Sequence, residues 1–84
     1  MPRYFFDTGY GPLLRDDDGV VLVDVDAAWE QATQTTGHIL RDLDGAFERD
    51  REWRMEVSDG QRRKLFTLHI STTVFKDWPP AVGG

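Results

Sequence analysis

Apolar residues recur along this chain with a period of two in its first and last thirds and with a period of three to four between them, an order that predicts strand, strand, helix, strand, strand. Residues 3 to 8 read as a strand, with Tyr4 and Phe6 on one face and Phe5 on the other. An aromatic on each face predicts a central strand. Gly9, Gly11 and Pro12 break it, and the turn-prone Asp16-Asp17-Asp18-Gly19 leads into Val20-Val21-Leu22-Val23, which makes a wide hairpin. Leu13 and Leu14 either extend the first arm or cap the open end of the core. Asp24 or Asp26 can cap a helix, since a short carboxylate accepts hydrogen bonds from the free amides of a first turn and favours its dipole. Val25, Ala28, Ala32, Ile39, Leu43 and Phe47 then form an apolar stripe, flanked by Trp29 and Leu40 and faced by Glu30, Gln31, Gln34, Arg41 and Asp42. Thr35, Thr36 and Gly37 weaken its middle, which predicts a kink or a close backbone contact at Gly37.

Beyond the charged stretch Glu48 to Glu52, read as a loop, Trp53, Met55 and Val57 alternate with Arg54 and Glu56 as a half-buried strand. Ser58-Asp59-Gly60-Gln61 reads as a hairpin turn in which Asp-Gly supplies the positive φ angles. Phe66, Leu68 and Ile70 then face inward, and Leu65, Thr67 and His69 face outward. The fold class is therefore α+β, a two-layer ββαββ domain whose four-stranded antiparallel sheet has order 2-1-3-4 and carries one helix on one face. The other face is either wet or paired with another copy. Residues 1 to 70 form the single domain, and 71 to 84 form a tail, with Pro79-Pro80 and Gly83-Gly84, that is partly disordered or docks on a neighbour. Trp78 in that tail is expected to pack back on the domain or onto a partner.

An 84-residue chain lies near the lower size for folding without a staple, and with no cysteine it has neither disulfides nor a thiolate nucleophile or zinc ligand. Its ten aromatics (three Trp, two Tyr, five Phe) can fill one thin core, so self-association is a natural supplement. No apolar run reaches the ~20 residues of a membrane span, and Met1-Pro2-Arg3 leads straight into strand pattern rather than a signal-peptide core. A soluble, cytoplasmic protein is the expectation. The net charge of −5 opposes nonspecific attraction to phosphate backbones, although a local basic patch can outweigh it.

Pro2-Arg3-Tyr4-Phe5-Phe6, the acidic turn into Gly19, Asp24 leading into Ala27-Ala28, Trp53 before Val57, and Asp59-Gly60 ahead of an apolar strand together resemble a family of short alphaproteobacterial proteins, common in rhizobia and their relatives and known only as a domain of unknown function. The resemblance covers about residues 2 to 70. Its motifs are core aromatics, a cap and turns, so it implies a fold and brings no reaction or ligand with it. Family members commonly carry a His after the Tyr-Phe-Phe run and a Pro in the last strand, where this chain has Asp7 and His69.

Candidate chemistry is sparse. Asp16, Asp17, Asp18, Asp24 and Asp26 could gather oxygen ligands, but their spacing is not that of a calcium loop, and a solvated acidic turn is the simpler reading. Asp42 and Asp44, two apart on a helix, face different ways. His38 and His69 have no neighbouring nucleophile motif, and no serine or threonine sits in a nucleophile elbow, so no catalytic residue is assigned and the domain is read as non-enzymatic. No GxGxxG or Walker sequence occurs, and neither cofactor nor metal is expected. Arg62-Arg63-Lys64, with Arg51 and Arg54 on the neighbouring strand and Phe66 or Trp53 available for stacking, is the best functional cluster. Charges near a hairpin tip also guard sheet edges against aggregation.

The expected function is a small protein-interaction or regulatory domain that binds first to itself, with Leu65 and Trp78 as contact residues. One alternative is an antitoxin-like or regulatory nucleic-acid binder using Arg62, Arg63 and Lys64. Another is a small-molecule sensor with a pocket beside Trp29 or Trp53.

Overall fold

A computed structural model of the chain describes residues 1–43, 51–73 and 75. Strand β1 (Arg3–Tyr10), strand β2 (Val20–Val21), helix α1 (Val25–Leu43), strand β3 (Glu52–Ser58) and strand β4 (Lys64–Ser71) follow the expected order. The sheet is antiparallel throughout with order β2-β1-β3-β4, as the sequence predicts.

The core forms because three strands present their apolar rows at matching heights. Phe6 lies opposite Val57, and Val57 opposite Phe66; one step along, Thr8, Met55 and Leu68 align, then Tyr10, Trp53 and Ile70. Directly opposed residues share a face, so these rows make one continuous surface. Helix α1 covers it with Ala28 and Ala32, both completely buried, whose small side chains let the helix backbone come close to Met55 and Val57. Tyr4 and Trp53 complete the buried set, and Phe6, Leu22, Ile39, Phe66, Leu68 and Ile70 pack around it. Burying Met55 and Val57 contributes about 1.5–3 kcal/mol each.

Asp24, not Asp26, caps the helix: the Asp24 carboxylate accepts the Ala27 amide at 2.9 Å, and its carbonyl accepts the Ala28 amide at 3.2 Å. Val25, expected in the buried stripe, is 46% exposed. The helix continues through Gly37, where a Cβ would meet open space, so no close contact requires glycine there. Thr36 and Thr33 return their hydroxyls to carbonyls one turn back. The Leu43 side chain and residues 44–50, which include Phe47, Gly45 and the start of the predicted charged loop, lie outside the described residues, as do Trp78 and most of the predicted tail.

One turn departs from expectation, and the other decides between two alternatives. Between β3 and β4 the Arg62 amide donates to the Asp59 carbonyl at 2.9 Å, and the Asp59 amide donates to the Arg63 carbonyl at 3.0 Å. The positive φ falls on Arg62 (64°), not on Gly60, so this is a three-residue loop ending in a left-handed residue rather than a two-residue Asp-Gly turn. Between β1 and β2, Leu14 pairs with Thr8 through two backbone hydrogen bonds, so Leu13 and Leu14 extend the first arm without capping the core; Leu14 is 77% exposed. Gly9 is required there, because a Cβ would overlap the Pro12 carbonyl.

Replacing Gly37 by Ala is expected to stabilise the domain by about 1 kcal/mol, since the residue is helical, its surroundings are open and alanine removes glycine's backbone entropy cost. Thermal unfolding should move up by roughly 4–8 °C; an unchanged or lower midpoint would show that Gly37 has a role its open surroundings do not reveal.

Candidate functional site

Arg62 holds the first hairpin to the second. Its guanidinium lies over the Phe5 ring, 3.7 Å from the centroid, pairs with Asp7 at 3.4 Å and donates to the Asp16 carbonyl at 2.6 Å. Phe5 is the aromatic on the face of β1 away from the helix, and it finds its cover in this cation rather than in an apolar partner. A left-handed arginine costs roughly 1–2 kcal/mol relative to a relaxed backbone, and the three interactions of its head group offset that cost.

Asp16 does what a strand would otherwise do along β1. Its carboxylate accepts the Phe6 amide at 3.0 Å, together with the amides of Gly19 at 3.0 Å and Asp18 at 3.2 Å, while its own amide donates to Asp7 at 2.8 Å. It thus fills the gap between the Thr8–Leu14 bridge and the β2 pairing of Tyr4 with Val20. Partial burial opposes ionisation of Asp16, but the amides of Gly19, Phe6 and Asp18 and the charge of Arg62 outweigh it, and its pKa lies below the ordinary 3.8. The acidic turn is therefore a structural clasp. Among the described residues no three His, Asp or Glu side chains are placed to hold a metal ion.

The predicted basic cluster is divided among carboxylates. Arg62 is engaged as above, Arg63 pairs with Asp59 at 2.9 Å, and Lys64 pairs with Glu56 at 3.5 Å. Hydrogen bonds from the Arg63 amide, the Gln61 amide and the Arg63 side chain also hold the Asp59 pKa below its ordinary value, against the opposing effect of desolvation. Arg54 reaches Glu56 at 3.9 Å, and Arg51 lies over the Tyr10 ring at 5.1 Å. Trp53 is buried beneath the helix and presents no stacking face. His69 lies 3.4 Å from Glu52, whereas His38 is exposed on the helix. The sheet face away from the helix, from Asp7 through Glu56 and Arg54 to His69, is thus lined with polar and charged side chains.

Exposed apolar residues occur around the first hairpin and the helix start, at Leu14, Val20, Val21, Val23 and Val25, and along the β4 side. Among the described residues β4 pairs only with β3, leaving its outer edge open. Trp29 stands edge-on to Phe66 with ring centroids 5.0 Å apart, and both Trp29 and Leu40, on the same flank of α1, are half exposed. Leu65, 40% exposed, is the extra residue of a β-bulge, because Val57 pairs with Phe66 while Ser58 pairs with Lys64. The sequence singles out Leu65 by its outward alternation, and the structure sets it beside the edge with Trp29 near the adjoining Phe66. Trp29 had a signal as well, since it flanks rather than belongs to the buried stripe. On the opposite flank a cleft of about 260 Å³ opens between α1 and β1, lined by Phe6, Ile39 and Met55 and by Thr8, Gln31 and Thr35. It lies beside neither Trp29 nor Trp53. No helix among the described residues is long and apolar enough to cross a membrane.

A family model described as a domain of unknown function, DUF6894, matches residues 3–71, which span all four strands and the helix. No curated protein and no solved structure matches the chain.

Substituting Arg62 separates its two effects. Arg62→Ala loses the head-group contacts and keeps the left-handed strain; Arg62→Gly loses the contacts and relieves the strain, so it should be less destabilised than the alanine variant by about 1 kcal/mol. Both should be less stable than wild type in urea titration, and a glycine variant more stable than wild type would sink the clasp. The lowered pKa of Asp16 has a definite sign: its contribution is fully present above the unfolded-state value and is lost as pH falls through the lower folded-state value. Asp16→Asn should accordingly unfold more easily at pH 7 and show a shallower loss of stability between about pH 5 and pH 1, measured by chemical denaturation at stepped pH.

Proposed function

Because the chain belongs to the DUF6894 family, a domain of unknown function, and carries exposed Trp29, Leu40 and Leu65 beside an edge strand, we propose that it is a non-enzymatic interaction domain that associates with a second copy of itself through the β4 side. The observation that carries this reading is Trp29, half exposed against Phe66 at the open edge. A half-exposed tryptophan beside strand amides and carbonyls that no described strand pairs offers both terms that drive association, apolar burial and backbone pairing. Leu40 stands on the same helix flank, and Leu65 is exposed at the bulge of the same edge strand. The charged sheet face has no comparable drive, since Arg54, Arg62 and Lys64 already pair with Glu56 and Asp7 within the domain. A cytoplasmic location is part of the proposal.

The alternative, nucleic-acid contact through Arg62, Arg63 and Lys64, draws on the projection of Arg63 and Lys64 from the hairpin end, where both side chains remain largely exposed despite their partners. Salt dependence separates the two. Each copy carries a net charge of −5, so self-association should strengthen as salt screens the repulsion, whereas phosphate binding should weaken.

Light scattering on the wild type over a range of concentrations should give a mass that rises toward a dimer and rises further with salt. Trp29→Lys combined with Leu65→Lys should leave a folded monomer, because both side chains are exposed. A wild-type mass that stays monomeric throughout would refute the reading. Retention of added duplex DNA, lost in Arg63→Ala/Lys64→Ala, would favour the alternative.

A further inference from the structure

Resting on that self-association, we infer that two copies join by antiparallel pairing of β4 with β4, with Leu68 on the two-fold axis, into one eight-stranded sheet whose two helices lie on the same face. The pleat limits the registers available. A two-fold perpendicular to the sheet opposes only residues of the same face. Centring it on Leu68 sets Phe66 against Ile70 of the second copy and Leu68 against itself on the helix face, with Thr67 against His69 and Leu65 against Ser71 elsewhere. Every helix-face pair is then apolar, and no two charges of one sign are opposed. Centring it on Thr67 instead carries the paired run through the bulge at Leu65 as far as Lys64, where the alternation of faces is broken and Lys64 turns to Glu56 on the charged face. Centring it on His69 shortens the paired run.

The rest of the surface agrees with this register. Phe66 to Ser71 is a regular run beyond the bulge at Leu65, and Lys64, the strand's only formal cation, falls outside the paired segment. The exposed flank of α1 that carries Trp29 and Leu40 is the flank nearest β4, as the Trp29–Phe66 contact shows, so the axis brings the two apolar helix flanks side by side above the new strand pair. At the other end of the sheet β2 has two residues, too short to serve as an equivalent template. The partner is a second copy because the pattern along β4 is complementary to itself under the two-fold.

The chain has no cysteine, so single engineered thiols report the register directly. Thr67→Cys and His69→Cys are both at exposed positions and should fold. Directly opposed residues lie within the Cα separation a disulfide needs, about 4.4–6.8 Å. Under mild oxidation a mixture of the two variants should form a covalent dimer well above the level of either variant alone. If light scattering finds the wild type monomeric, the self-association reading fails and this inference fails with it. If the wild type is a dimer yet the mixture does not cross-link, or Thr67→Cys cross-links efficiently by itself, or Val21→Cys on the far edge cross-links instead, the β4 register is overturned while self-association stands.

Discussion

The burial of one face of β3 beneath Ala28 and Ala32 is the constraint that arranges the other surfaces of this domain. With Met55 and Val57 fully enclosed and Trp53 nearly so, a single helix has covered what it can of the sheet. Its width is too small to cover four strands at once, since helices pack at 8–10 Å and neighbouring strands lie about 4.8 Å apart. The helix makes its principal contacts with β3 and β4. A cleft therefore remains over β1 on one flank, and Trp29 and Leu40 stand exposed on the other.

The uncovered face of the sheet solves its problem with charge. Asp7, Glu56, Arg54, Glu52 and His69 alternate with the core residues and find partners within that face or from the β3–β4 hairpin. Arg62 serves this arrangement from a turn: it covers Phe5, neutralises Asp7 and reaches the backbone of the acidic loop, tying the first hairpin to the second. The same loop is held to β1 by Asp16, whose carboxylate replaces a missing ladder bond at Phe6. Both residues look from sequence like surface charges for solubility or recognition. Here they act as fastenings.

Interaction capacity follows from what these fastenings leave over. Arg62 is engaged beneath the hairpin and Trp53 beneath the helix, so the basic cluster has lost one guanidinium and one aromatic that base stacking would use. Two of the exposed apolar residues, Trp29 and Leu40, stand where the helix overhangs the last strand, and a strand edge is the one place in a sheet where main-chain hydrogen-bonding groups await partners. That coincidence supports an interaction role more directly than composition does.

The element order, the buried row of β3, a cap at Asp24 or Asp26 and the outward position of Leu65 were legible in the residues, because each follows from local periodicity or from hydrogen bonding within a few positions; the strand order followed from the topology of a helix crossing between two hairpins. Periodicity of two sets which of Trp53, Arg54 and Met55 turns inward whatever surrounds them. The role of Arg62 was not legible, since its partners Phe5, Asp7 and Asp16 lie 46 or more residues away and meet it only after β1 and β3 have paired. The same holds for Asp16, whose partner Phe6 is ten residues off across an irregular loop, and for the left-handed turn, where local propensity favours Gly60 and tertiary contacts place the strain on Arg62. Sequence thus determined the elements and their faces through local chain geometry; the tertiary structure alone decided which charges were consumed as fastenings and which edge the described residues leave unpaired, because both depend on contacts between segments far apart in the chain.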